Sequence, residues 1–198
     1  MLNIFNIYHK VLGRFNFSSY LCEILELQQS KKIKMETIEI YLHGENCQEA
    51  KIIEIPVNSK IGDIIAVYHN SMNPDAKMEE IELFFEDDDD MKNKEHEIGQ
   101  AGIKKRHHVH CHRCKKVTVT IDYNGQVIHL KVAPSNTGER ILKLAAKEFK
   151  IAEGDIGDLY LKLPDGTTLD PDAHIGSYVH HPKCEITLTL INNNQVQG

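Results

Sequence analysis

Two stretches of this chain alternate apolar and polar residues in the same order, and each holds one segment of helical period. In the later stretch Val117, Val119 and Ile121 alternate with Thr118, Thr120 and Asp122, which predicts a half-buried strand. Asn124-Gly125 follows, a dipeptide that tolerates positive φ at both positions and so predicts a tight hairpin. The return strand places Ile128, Leu130 and Val132 on one face and Val127, His129 and Lys131 on the other, so His129 is expected in solvent. Pro134 ends that strand, and Asn136 with Glu139 three residues on predicts a capping box. Ile141, Leu144, Ala145 and Phe149 then form an apolar helical stripe. Leu159, Leu161 and Leu163 alternate into a Pro164-Asp165-Gly166 turn. After an Ile175-Gly176 turn, Ile186, Leu188 and Leu190 alternate with Thr187 and Thr189 in a closing strand.

The earlier stretch repeats this order. Strands are expected at Thr37 to Tyr41, Lys51 to Ile55, Ile81 to Phe85 and His107 to Arg113, with turns at Gly44 to Asn46 and Ile98-Gly99. Its helical stripe is Ile61, Ile64, Ile65 and Tyr68. Matching elements lie about 77 to 80 residues apart, the mark of an internal repeat. One helix across a small mixed sheet buries every apolar face at once, so the expected class is α+β, twice over. The expected domains are 35–116 and 117–191, with a flexible tail over 192–198. Lys115-Lys116 runs almost directly into Val117, which predicts restricted motion between the two. Residues 1–34 lie outside the repeat. Ile4, Tyr8, Val11 and Phe15 have helical spacing there, and the segment is expected to be disordered or a loose helix, with Met35 as the true start.

Composition narrows the function. The 198 residues are 41% hydrophobic, enough for two small cores. The net charge of −6 divides as +3 over 1–34, −6 over 35–116 and −3 over 117–198, so neither half offers a basic nucleic-acid footprint. No apolar run approaches the ~20 residues of a membrane span. Five cysteines (Cys22, Cys47, Cys111, Cys114, Cys184) make an odd, scattered set unlike a disulfide framework, and a reducing cytoplasm is expected. No Gly-rich phosphate loop, nucleophile elbow or paired-carboxylate motif is present, so neither catalysis nor a cofactor is expected.

Three clusters carry charge or ligand chemistry. His107-His108-Val109-His110-Cys111-His112-Arg113-Cys114 contains metal-binding residue types. Strand alternation, however, turns Val109 and Cys111 inward and His108, His110, His112 and Cys114 outward, which separates the thiols. A solvated histidine face is the favoured reading, and a surface metal site on His108, His110 and His112 the weaker alternative. Glu86 to Asp90 lacks the spaced ligands and glycine of a calcium loop and reads as a solvated acidic loop. Lys104-Lys105-Arg106 reads as surface charge.

Together, the hairpin, the Pro134 to Thr137 lead into a helix, the Pro-Asp-Gly turn and the Ile-Gly turn resemble ubiquitin-like β-grasp domains. Two tightly joined copies ending in glycine resemble the bacterial counterparts of the interferon-induced tandem ubiquitin-like modifier, the modifiers of the Bil antiphage systems. The resemblance covers residues 36–198. It implies a tag whose C-terminal carboxylate is adenylated by an activating-like enzyme, passed as a thioester through conjugating-like enzymes, joined to target proteins and removed by a deconjugating protease. On this chain it implies conjugation at Gly198 and recognition of Gln195, Val196 and Gln197 in the tail. Here the tail ends in Gln197-Gly198 with no arginine before it, unlike ubiquitin, which implies a dedicated enzyme set. Lys162 and Thr189 are expected outward where ubiquitin carries an apolar binding patch. The alternative from another class is a non-conjugated tandem β-grasp scaffold. A thiocarboxylate sulfur carrier ranks lower, since such carriers are usually single domains.

Overall fold

The computed structural model describes residues 36–45 and 47–193. The extension 1–34 and the tail residues Gln195, Val196, Gln197 and Gly198 lie outside the described residues. Among the described residues, eight strands and two α-helices follow the predicted order. They are β1 (Thr37–Gly44), β2 (Cys47–Pro56), α1 (Ile61–Met72), β3 (Glu82–Phe85), β4 (His108–His112), β5 (Val117–Tyr123), β6 (Gln126–Val132), α2 (Gly138–Glu148), β7 (Leu159–Lys162) and β8 (Glu185–Asn192). The sheets have orders β2-β1-β4-β3 and β6-β5-β8-β7, the same arrangement twice. In each, a hairpin opens the domain and the last strand runs parallel to the first, between it and the third. These are two tandem ubiquitin-like β-grasp domains.

Alternation explains the cores. Ile40 and Leu42 of β1 and Val109 and Cys111 of β4 are buried with Ile61, Ile64, Ile65 and Tyr68 of α1. Val117, Val119 and Ile121 of β5 and Leu188 and Leu190 of β8 are buried with Ile141 and Ala145 of α2. The hairpin turn is as expected, with Asn124 at φ 53° and Gly125 at φ 81°, the positive-φ pair that a two-residue turn between twisted strands requires. His129 is exposed and meets Thr120 Oγ1 at 3.0 Å. Lys162 and Thr189 stand opposite each other on β7 and β8.

Two local expectations are corrected. The N-cap of α2 is Thr137, whose hydroxyl accepts the Arg140 amide at 3.2 Å, and not Asn136. Asn136 is fully buried instead, its side-chain amide without a partner among the described residues. The cysteines do include a disulfide: Cys114, just after β4, is bonded to Cys184, just before β8, with Cα atoms 5.7 Å apart. Alternation from Cys111 said which side Cys114 would take in a continuing strand. The strand ends at His112, so the rule does not reach it.

Candidate functional site

The two domains meet on the outer face of the first sheet. Because Leu42, Val109 and Cys111 point into the first core, Tyr41 and His43 of β1 and His108, His110 and His112 of β4 point to the opposite side. The second domain covers that side with the short 3₁₀ turn Ile175–Tyr178 and the residues around it. His110 and His112 are consequently 0% exposed. The expected solvated histidine face is therefore an interdomain interface: alternation predicted the direction of the rings correctly but not what lies there. His112 Nε2 donates to the Val179 carbonyl at 3.1 Å and its Nδ1 accepts the Cys114 amide at 2.8 Å. His110 Nδ1 and His174 Nδ1 lie 3.1 Å apart.

The weaker metal reading is corrected in its membership. His108, His110 and His112 alternate along one strand, which sets the outer two roughly 13 Å apart at Cα, so the three do not converge on one point. The rings that converge are His43, His108 and His174, with one nitrogen from each within 4.8 Å of the others. His43 comes from the neighbouring parallel strand, and His174 is held beside Thr137 by an antiparallel bridge. Burial, with the rings of His174 and His108, pushes the pKa of His43 down to about 3, so its imidazole is neutral. Burial likewise holds His110 well below the ordinary histidine value.

The acidic run is also corrected. Glu86, Asp89 and Asp90 are exposed as expected of a solvated loop, but Glu86, Asp87 and Asp89 also bond to residues beyond the first sheet. Asp87 Oδ1 accepts the Thr137 amide at 2.8 Å and its hydroxyl at 3.0 Å, placing a carboxylate at the N-terminus of α2, where the helix dipole favours it. Asp89 pairs with Lys116 and Arg140, each at 3.1 Å. Glu86 Oε1 accepts from His174 Nε2 at 3.2 Å, and this bond holds the carboxyl of Glu86 below its usual range.

On the other side of the histidines, Glu45 anchors the connection between domains. Its carboxylate, with a side chain only 2% exposed, accepts from the Arg113 amide at 2.7 Å, Nε at 3.1 and 3.2 Å and Nη2 at 2.8 Å. Burial alone would raise the pKa of Glu45, but the bonds from Arg113 and the nearby His112 outweigh it and leave it lowered. The Glu45 amide donates to Tyr68 Oη at 3.1 Å. Sequence reasoning missed His43, Glu45, Asp87, Arg113 and His174 as partners, since each pairing spans 50 residues or more.

The contact is closely packed at Gly176. A Cβ there would lie 2.5 Å from His110 Nε2, 2.6 Å from Pro134 Cβ and 2.8 Å from Pro134 O. Gly176→Ala is therefore expected to destabilise the protein by about 1–3 kcal/mol through overpacking. Gly154→Ala, where a Cβ meets nothing within 4 Å, serves as the control. Urea midpoints measure both, and equal midpoints would reject the close-packing account.

The tail leaves from the opposite end. β8 lies between β5 and β7 and runs parallel to β5, whose first residue, Val117, adjoins the first domain. Asn192, paired with Leu159, thus ends β8 away from the interface. The strand reaches one residue beyond the expected boundary at Ile191. Gln195, Val196, Gln197 and Gly198 follow, outside the described residues.

Residues 118–193 match the family described as BilA ubiquitin-like domain 2. No curated protein matches the chain. Among solved structures, the chain is similar to the ubiquitin of Caldiarchaeum subterraneum (18% identity, TM-score 0.33), over 39% of this chain and 92% of that one. It is also similar to a chain from a structure titled for molecular mimicry of SUMO in DNA repair (18% identity, TM-score 0.32), over 38% of this chain and 90% of that one. A chain from the complex of ATBAG1 with HSP70 is similar at 18% identity and TM-score 0.33, over 41% of this chain and 42% of that one.

Proposed function

We propose that this chain, whose residues 118–193 match the family described as BilA ubiquitin-like domain 2, is a Bil-type ubiquitin-like protein modifier joined to targets through Gly198. The observation that carries this reading is the exit of the chain from the central strand β8, at the end of the second domain remote from the first. A tail following that strand starts at the end of the second domain away from the first, which leaves that end open to an enzyme. Gly198 has no side chain, which suits close backbone approach around a reacting carboxylate. Gln195, Val196 and Gln197 are the residues such an enzyme would read.

In this reading an activating-like enzyme adenylates the Gly198 carboxylate, a conjugating-like enzyme carries it as a thioester, and an amine of the target displaces the thiol. The chain itself is not the catalyst. The setting proposed is the bacterial cytoplasm during phage infection. Among the described residues no helix is long and apolar enough to cross a membrane. The Cys114–Cys184 bond gives a test of that setting, since a reducing compartment generally keeps such thiols free. Alkylation of thiols in fresh lysate, followed by a non-reducing gel, reads its state in the cell.

The test of function is an immunoblot of N-terminally tagged protein in its native host, with the cognate enzymes present, before and during infection. Higher-mass adducts are expected from the intact chain and none from a chain lacking Gly198. A single band from both would reject the modifier reading and leave a tandem binding scaffold.

A further inference from the structure

Four donor atoms from both domains converge at the edge of the interface, where His43 and His174 are buried and His108 and Glu86 are partly exposed. His43 Nε2 lies 2.9 Å from His108 Nδ1, His174 Nε2 lies 3.2 Å from Glu86 Oε1, and His108 Nδ1 lies 3.5 Å from the same carboxylate oxygen. Zinc-to-ligand bonds of ~2.0–2.1 Å in a tetrahedron place neighbouring donors about 3.4 Å apart. Three of the six edges of this group are therefore near that length, and a nitrogen from each histidine lies within 4.8 Å of the others. We propose that His43, His108 and His174, with Glu86, form an interdomain site for a divalent transition-metal ion, with zinc the best match.

The chemistry of the donors supports the assignment. Three imidazoles and one carboxylate suit zinc better than the hard cations magnesium and calcium, which prefer all-oxygen shells. The rings stack on one another, with His43 centred 4.1 Å from His174 and 5.0 Å from His108. Each imidazole offers a ring nitrogen of the borderline donor type that zinc takes. His174 has the outer-shell partner that metal-bound histidines generally need: its Nδ1 faces His110 Nδ1 at 3.1 Å, which orients the ring. A cleft of about 340 Å³, lined by Glu86, Asp87, His108, Thr137, Glu139 and Asp172, leads to the group. Its four carboxylates offer a cation a negative approach.

The ligands divide between domains. His43, Glu86 and His108 belong to the first, and His174 to the second. An ion there ties the domains together directly, beside the Asp87–Thr137 contact. This inference goes beyond the modifier reading and does not depend on it.

The full chain, stripped with a chelator and dialysed, is titrated with zinc chloride against a chromophoric competitor. One tightly bound equivalent is expected, together with a rise in melting temperature, because an ion bound only by the folded state stabilises it. Cobalt(II) in place of zinc should give the intense visible absorption of a four-coordinate site. His108→Gln, at a half-exposed position, and Glu86→Gln should each weaken binding by about tenfold or more. His129→Gln, on the exposed face of β6, should leave it unchanged. His174→Gln should also abolish the rise in melting temperature; if that variant fails to fold, the two more exposed variants decide. Wild-type protein that takes up no zinc, or uptake that survives His108→Gln and Glu86→Gln, overturns the proposal.

Discussion

Replacing Arg113 with methionine is expected to lower the unfolding free energy at neutral pH by about 3 kcal/mol. The guanidinium makes three of the four hydrogen bonds that reach the Glu45 carboxylate from Arg113. Without it Glu45 keeps a buried negative charge with only an amide and a neutral His112 beside it. Removing one partner of a buried ion pair commonly costs about 3–5 kcal/mol, and the lower end applies because the Arg113 side chain is itself 22% exposed. Adding Glu45→Gln to Arg113→Met should recover part of the loss, since it removes the stranded charge.

The difference between wild type and Arg113→Met also has a pH signature. The Glu45 pKa is lowered in the folded protein, so the ionised pair contributes stability above the ordinary carboxylate value of 4.5 and loses it as pH falls through the lower folded value. The two proteins should therefore converge in acid. Urea unfolding of the single and double variants at neutral and acid pH measures this. A neutral-pH loss below about 1 kcal/mol would mean that the pair behaves as an exposed one.

Cys184→Ser is expected to have a comparable effect, of about 4 kcal/mol. The bond from Cys114 to Cys184 spans 70 residues and encloses the second domain from its first strand to the start of its last. In the chain-entropy account a loop of that length restricts the unfolded state by about 4 kcal/mol. Wild-type protein in reductant should fall to the stability of Cys184→Ser in either redox condition. Cys111 is not expected to substitute for Cys114, because it lies wholly buried in the first core, where burial raises its thiol pKa. If reductant leaves the wild-type midpoint unmoved, the cross-link does not contribute.

Taken by itself, the sequence determined the local order of this protein. Alternation marked every strand, helical period marked both helices, and Asn124-Gly125 marked its turn, because each signal lies within a few residues of the structure it specifies. Duplication of that order then determined the fold class. Only the tertiary structure decided the fate of residues that point away from a core. The direction of His110 and His112 follows from the pleat, yet whether that direction holds water or a second domain depends on segments more than 60 residues away. The Glu86 to Asp90 run differs for the same reason: along the chain all five carboxylates look alike, and only the fold brings Thr137, Lys116, Arg140 and His174 to three of them, Asp87, Asp89 and Glu86. The disulfide, the Glu45–Arg113 pair and the histidine cluster are all contacts at long sequence separation. Such partners are brought together by tertiary packing, within a domain or between two, and spacing along a single chain carries no record of that choice.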